Sequence, residues 1–411
     1  MQSEKEALSN LFQTEFSKMV AVISKRFGLP HIEIAEDIVS ETFLLATESW
    51  EVKGIPANPA AWLYSVAKQK TLYYFRRNKI FNENIIPEIK ATTEHSIELV
   101  ELDFSQQNIK DSQLQMMFAI CSPKIASEAQ IGLALRILCG FGIDAIAEAF
   151  LTNKETINKR LFRAKEKLRT EKVQLEVPIE EQIGYRLDNV LHIIYLLFNE
   201  GYYSTTQNKV LRKDFCLEAL RLGIMLTEFK QTNQPQTNAL IALMCFHASR
   251  FDARQTSNND FVLYQNQNDN LWNKDLIEKG KYFLNVSAVG TELNSYHLEA
   301  GIAFLHCEKK DTLEKWENIL HYYNLLLQIN YSPSVALNRT YALYKANGKQ
   351  EALIEAKKLR LENNHFYFTL LGELYTGIDN SKARESFLKA LSIAKTQTNK
   401  QTIQNKITAL T

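Results

Sequence analysis

Two short stretches of this chain carry residues whose types and spacing could do the chemistry of recognition. The first is KETINKRLFRAKEKLRTEK, Lys154 to Lys172, where eight Lys or Arg stand against three Glu. That local balance of +5 sits in a chain of formal net charge +1, so all other residues together sum to −4. Cations gathered this densely neutralise phosphates, and the polymer that rewards them is a nucleic acid. The second stretch interleaves Lys68, Lys70, Arg76 and Arg77 with Tyr73, Tyr74 and Phe75. Aromatic faces of this kind accept unpaired bases by stacking, at ~1–3 kcal/mol per base. Bond-making chemistry has no comparable support: there is no nucleophile elbow, no phosphate-binding glycine loop and no metal-ligand spacing. The five cysteines (Cys121, Cys139, Cys216, Cys245, Cys307) are scattered without a CxxC and are expected to be reduced and buried. His306-Cys307 and Cys245 with His247 fall on apolar helical patterns and are expected to pack. The expectation is a protein that is not an enzyme and has no cofactor and no metal.

The elements that must position these residues are helical. Apolar residues recur at helical spacing almost throughout, no alternating strand is found, and Gly and Pro are scarce, so the expected class is all-α. Leu11, Phe12, Phe16, Met19, Val20, Ile23 and Phe27 mark the buried face of a first helix. A second, from about Ile32 to Trp50, is expected to bury Ile34, Ile38, Thr42, Leu45 and Ser49. The loop KGIPANP, Lys53 to Pro59, hands over to a third helix that begins after a proline. In that helix Trp62 and Val66 are expected to pack, while at least one of Tyr73 and Tyr74 is expected to be exposed. Residues 80–111 lose the period and read as a linker.

Order resumes at Ser112, and the basic stretch then finds its setting. Ile143 to Phe150 reads as a short helix, Leu151-Thr152-Asn153 as a joint with a capping residue, and the basic stretch as a helix with Ile157, Leu161, Ala164 and Leu168 inward. A short helix, a tight turn and a basic amphipathic helix form a helix-turn-helix, whose second helix enters a DNA major groove. A further break falls near Pro178. The remainder is helix after helix, with Leu343, Tyr344, Ala352 and Ala356 matched 31 positions later by Leu374, Tyr375, Ala383 and Phe387. Degenerate repeats of paired helices are of the tetratricopeptide type.

SEAQIGLALRILCGFGIDAIAEAFLTNKETINKRLFRAKEKLR resembles region 4 of the extracytoplasmic-function sigma factors of the sigma-70 family, AEDIVSETFLLATESW resembles their region 2.2, and ANPAAWLYSVAKQKTLYYFRR resembles regions 2.3 and 2.4. CSPKIASEAQ, IIYLLFNEGYYS, ALMCFHASR and PSVALNRTYALY resemble the subgroup with a long helical C-terminal extension. The resemblance implies sigma region 2 over 8–79, a linker over 80–111, region 4 over 112–172 and a TPR-like extension over 183–411. It implies core RNA polymerase (β′ clamp helices and β flap) and promoter DNA as partners. The extension is expected to fold back on the sigma regions and to control them, with a regulatory protein as a further partner.

Carried over residue by residue, the −35 element falls to Lys154, Thr156, Asn158, Lys159, Arg160, Phe162, Arg163 and Lys167. The −10 element falls to Lys53, Asn58, Trp62, Lys68, Gln69, Tyr73, Tyr74, Arg76 and Arg77. Polymerase docking falls to Asp37, Ile38, Ser40 and Glu41. Lys68-Gln69 stand where relatives commonly have Arg-Asn, and Tyr73 where they have Asp, which puts the promoter preference in doubt. A helix-turn-helix regulator with a TPR-like sensor and no polymerase docking is the competing reading. A pure TPR scaffold leaves the first 172 residues without a role. At 411 residues two or three domains are expected. MQSEKEALSN carries charge where a signal peptide needs its apolar segment, and no apolar run reaches eighteen residues, so a cytoplasmic protein without membrane contact is expected.

Overall fold

A computed structural model describes residues 2–85, 102–150, 152–202, 212–255, 262, 264–290, 292–395 and 397–410. Half of the linker reading (residues 86–101), Leu151 of the turn, and Tyr203 and Ser204 of the aromatic tail segment lie outside these residues. Among the described residues every regular element is a helix. The chain divides into two compact units, 1–196 and 197–411.

The first unit opens with α1 (Gln2–Phe27), whose Phe16, Met19, Val20 and Ile23 are fully buried as the spacing requires. In α2 (Ile32–Lys53) the buried face differs from the expected one. Ala35, Ile38, Val39, Thr42, Phe43, Ala46 and Trp50 are buried, whereas Leu45 is exposed and Ile34 and Ser49 are half-buried. The cause is Phe43 and Trp50: the large rings go inward and rotate the helix toward them, with Phe43 edge-on to Phe12 at 4.9 Å. Gly54, at φ +79°, ends α2 in a conformation that costs a side-chain-bearing residue extra.

Helix α3 (Pro59–Ile85) starts at a proline, and Asn58 caps it by accepting from the Ala61 amide at 3.0 Å. It runs on through residue 85, and α4 (Gln106–Ile120) already begins at Gln106, so both ends of the stretch read as linker are helical. The aperiodic polar residues there hid α4's signals: Ser105 caps it by accepting from Asn108, and Ile109 is its first deeply buried residue.

Helix α5 (Ser127–Leu133) continues into a π turn over Ala134–Leu138, closed by the Cys139 amide on the Ala134 carbonyl at 3.0 Å. Then come α6 (Ile143–Ala149) and α7 (Lys154–Thr170). Asn153 caps α7 by accepting from the Thr156 amide at 2.8 Å, and Lys172, at φ +50°, closes it. Ile157, Leu161, Ala164 and Leu168 are all buried; each large side chain among them contributes about 1.5–3 kcal/mol.

Helix α8 (Glu180–Tyr202) crosses the boundary between units. Its first turns belong to the first unit. Arg186 donates to the Phe118 carbonyl at 2.6 Å, and Asn189 donates to the Cys121 carbonyl and to Gln130 Oε1, the latter at 3.0 Å.

In the second unit α9 (Lys213–Leu226) precedes α10 (Pro235–Ala248), which is apolar nearly all round and buried accordingly, with α9, α11 (Lys274–Ser287) and α12 (Ser295–Leu305) packed around it. Consecutive pairing then carries α13 (Leu313–Ile329), α14 (Pro333–Asn347), α15 (Lys349–Leu359), α16 (His365–Tyr375), α17 (Asn380–Ile393) and α18 (Gln397–Thr408) along a solenoid-like stack. The 31-residue offset coincides with the hairpins: Leu343 and Leu374 end α14 and α16, and Ala352 and Ala383 lie inward on α15 and α17.

Candidate nucleic-acid interface

Helix α7 sorts its polar residues into two flanks about the buried stripe. On one side Thr156, Lys159, Arg160, Arg163 and Lys167 line an open concavity of about 500 Å³ together with Lys124, Ile125, Ala126, Ala129 and Ala164. Five of these side chains are cationic. Three carboxylates reach them: Arg160 meets Glu128 at 3.4 Å, Lys159 meets Glu155 on its own helix, and Lys167 meets Glu171 at 2.7 Å. Lysine contacts hold the Glu171 carboxyl below its usual range, with the Lys167 hydrogen bond as the main cause. Lys124 joins the same group, 3.6 Å from Glu171. No ion pair among the described residues involves Arg163. Lys124 was missed in the sequence because it stands 30 residues before the basic stretch, in a segment quoted only for resemblance.

The other flank carries Asn158, Phe162, Lys165 and Arg169, one ridge at spacings of four, three and four. Phe162 is 63% exposed, a large apolar ring left in water. Lys154 reaches back across the turn to Asp144 at 2.6 Å, and Lys159 pairs along its own helix with Glu155 at 2.8 Å. All four of those side chains are well exposed, so the pairs are worth little and yield readily to phosphate.

On α3 the exposed ridge is Ala61, Ser65, Gln69, Tyr73 and Arg76, with Arg77 beside it. Tyr73 is 66% exposed, whereas Tyr74 is half-buried and edge-on to Phe27 at 5.4 Å. Phe75 stacks on Phe27 at 4.7 Å. Trp62 packs edge-on to Trp50 at 5.3 Å and is half-buried, as is Lys68. Lys53 and Asn58 are exposed at the loop before α3, with the Asn58 amide oxygen engaged as a helix cap. Of the three positions singled out in the sequence, Gln69 and Tyr73 share the centre of the ridge, and Lys68 stands beside it, half-buried.

The outward face of α2 presents Asp37, Ser40 and Glu41. Ile38 does not belong to it: at 5% exposure it is part of the core, because it lies next to Val39 on the inward side. The apolar part of this face is instead Leu44, 60% exposed, and Leu45. Glu41 spans to Lys70 of α3 at 2.8 Å. Desolvation first, then Glu36 and Glu41, push the Asp37 carboxyl above its ordinary value, so this helix carries concentrated negative charge.

Comparison with known proteins adds to this geometry. Residues 12–80, which hold α2 and most of α3, match sigma-70 region 2. Residues 186–288 match a family of unknown function, DUF6596. An uncharacterized protein of Rhizobium meliloti (strain 1021) is 30% identical over 370 residues, covering 89% of this chain and 87% of that protein. No solved structure matches. Among the described residues no helix is long and apolar enough to cross a membrane.

Proposed function

We propose, from the premise that the chain belongs to the sigma-70 family of non-enzymatic transcription initiation factors, that it is an extracytoplasmic-function sigma factor governed by its own C-terminal extension. It directs core RNA polymerase to particular promoters and assists strand opening. Asp37, Ser40 and Glu41, with Leu44 and Leu45, dock on a basic polymerase surface. Gln69, Tyr73, Arg76 and Arg77 take the unpaired −10 strand, with Lys53, Asn58, Trp62, Lys68 and Tyr74 around it. The α7 face, from Lys154 to Lys167, reads the −35 duplex: Asn158, Phe162 and Arg163 reach base edges, and the remaining cations neutralise phosphates. The TPR-like extension controls these regions and takes the regulatory partner.

The observation that carries this reading is the face of α2. A regulator that binds DNA through α6 and α7 alone has no use for an acidic and apolar surface beside a second, aromatic and basic helix. The test is co-purification with core polymerase and transcription from a promoter library. The wild-type chain binds and initiates. Asp37→Lys with Glu41→Lys loses core binding by ~10-fold or more, since like charges are set against a basic partner, yet still binds duplex DNA. Undiminished polymerase binding by the reversed protein would favour the plain regulator.

A further inference from the structure

A cluster of buried cations lies inside residues 197–411, around the ring of Tyr264, and neither promoter reading nor polymerase docking uses it. Arg250 follows α10, and Lys315 stands in the first turn of α13. Their charges lie 5.6 and 5.4 Å from the centroid of that one ring. Trp272 lies against the same ring at 6.3 Å, and His306, at the end of α12, meets it edge-on at 5.2 Å. Arg250, Trp272 and Lys315 are 8, 6 and 4% exposed. Lys315 Nζ donates to the Tyr264 hydroxyl at 3.1 Å and to the Glu308 carbonyl. No ion pair among the described residues involves Lys315. Asp311 acts on it through space but is already shared by Lys345, at 2.5 Å, and by the Trp316 indole. Trp272 Nε1 and His306 Nδ1 are buried without a hydrogen-bond partner.

We propose that Arg250, Lys315 and the Trp272 indole form a binding site in the second unit for a small oxyanion, a phosphate or an organic carboxylate. The site goes beyond the sigma-factor reading and does not depend on it. An ammonium taken out of water is costly unless an opposite charge meets it, and Lys315 is met by a phenol and a carbonyl. The phenol supplies no charge, because burial pushes the Tyr264 hydroxyl up to about 12. The two cations also repel each other across the ring. Burial first, and then both of these cations, press the His306 imidazole toward its neutral form. A buried indole N–H with no acceptor completes the set, since an oxyanion accepts from a neutral donor and from cations alike.

The surroundings set the class of ligand. A nucleic-acid backbone presents a run of phosphates and rewards a run of exposed cations. Arg250 and Lys315 are neither exposed nor in a row, so a free anion suits them. Tyr264 is half-buried, which brings one edge of the cluster to the surface while the charges stay beneath. Gln267, whose backbone N–H meets the Tyr264 carbonyl at 3.2 Å, adds a buried Oε1 with no donor. An acceptor beside the cations suits an anion that keeps a hydroxyl, as dihydrogen phosphate and hydroxy acids do.

The experiment titrates the full chain with sodium phosphate and, separately, with sodium malate, against sodium chloride of the same ionic strength. Hydrogen exchange around Arg250, His306 and Lys315 is the reading. A bound anion slows it by ~10-fold at ten times its dissociation constant, and chloride does not. Protection by phosphate alone assigns a phosphoryl ligand and by malate alone a carboxylate, and each supports the site. Lys315→Met keeps the stem without the charge. It folds at least as stably as the wild type, because an apolar group replaces a buried ion without a counterion, yet binds the anion ~10-fold or more weakly. Lys310→Met removes the same charge from an exposed neighbour and leaves the protection intact. If Lys315→Met folds poorly, Trp272→Phe decides, with binding weakened a few-fold as the expected result and wild-type protection as the opposing one. Protection by neither anion, or equal protection in a folded Lys315→Met protein, overturns the site.

Discussion

Residues 1–196 add buried ion pairs between helices far apart in sequence to their apolar core, whereas in residues 197–411 close glycine-to-ring contacts join neighbouring helices. Glu36 gathers Arg136 and Lys165, Glu41 reaches Lys70, and Arg169 holds Pro30. In the second unit, Gly280 lies so close to the Phe246 ring that an added Cβ would come within 2.5 Å, and Gly372 stands in the same relation to Phe387. Ion pairs exchange partners with water, phosphate or another protein at small net cost. Interlocked rings and glycines do not, because separating them opens a cavity.

The largest effect should come from breaking the shape side of that contrast. Phe387 is 2% exposed and fills the space that Gly372 leaves. Phe387→Ala is expected to lower the stability of the second unit by ~3–5 kcal/mol. Urea unfolding followed by hydrogen exchange separates the two units, and the transition of residues 1–196 should not move. A loss below about 1 kcal/mol would mean that the packing of α16 on α17 is not what holds this unit.

Acid should divide the units next. Burial, and then the nearby charges of Arg250 and Lys315, press the His306 imidazole from its ordinary 6.5 down to about 3. Burial with Arg250 and Arg254 depresses His247 in the same direction. The folded forms therefore bind fewer protons than the unfolded chain, so their stability is complete above 6.5 and is lost as pH falls toward the folded values. At pH 5.5 the cost for His306 is on the order of 1 kcal/mol, and His247 adds to it in the same direction. Asp37 behaves oppositely: its raised carboxyl is relieved by protonation, so the first unit loses nothing in this window on its account. Melts at pH 7.5 and 5.5 should show the second unit falling alone, and His306→Gln should make the drop smaller.

How much of this was legible beforehand follows the same division. The inner stripe of α7 and its flanking helix and turn could be read directly, since Ile157, Leu161, Ala164 and Leu168 repeat without interruption. The paired helices of the tail were also readable, but the exchange of large for small was not: Tyr341 and Ala356 become Gly372 and Phe387 in the next pair, which disguises the repeat while preserving its volume. The face of α2 was misjudged because Leu45 and Ile38 both fit the helical period, and only the rings of Phe43 and Trp50 decide which turns inward. Glu36 passed unnoticed among the acids of α2, since its partners lie 100 and 129 residues away, and no local pattern announces a contact of that range.

Salt sharpens the contrast with the smallest effect. The screening length falls from about 10 Å at 0.1 M to about 3 Å at 1 M. The side chains of Arg169 and Glu33 are roughly two-fifths exposed, so their pair is fully subject to screening and is worth at most ~1 kcal/mol. Lys165 and Glu36 are far better shielded and resist it. Raising sodium chloride over this range should therefore speed exchange first at the end of α7 and around Pro30, by a few-fold, and only weakly at Ala35 to Val39. Exchange in α10, α16 and α17, held by apolar contact, should stay level or slow slightly. Equal acceleration of α7 and α17 would show that charge does not separate the two units, and the contrast from which these expectations start would fail.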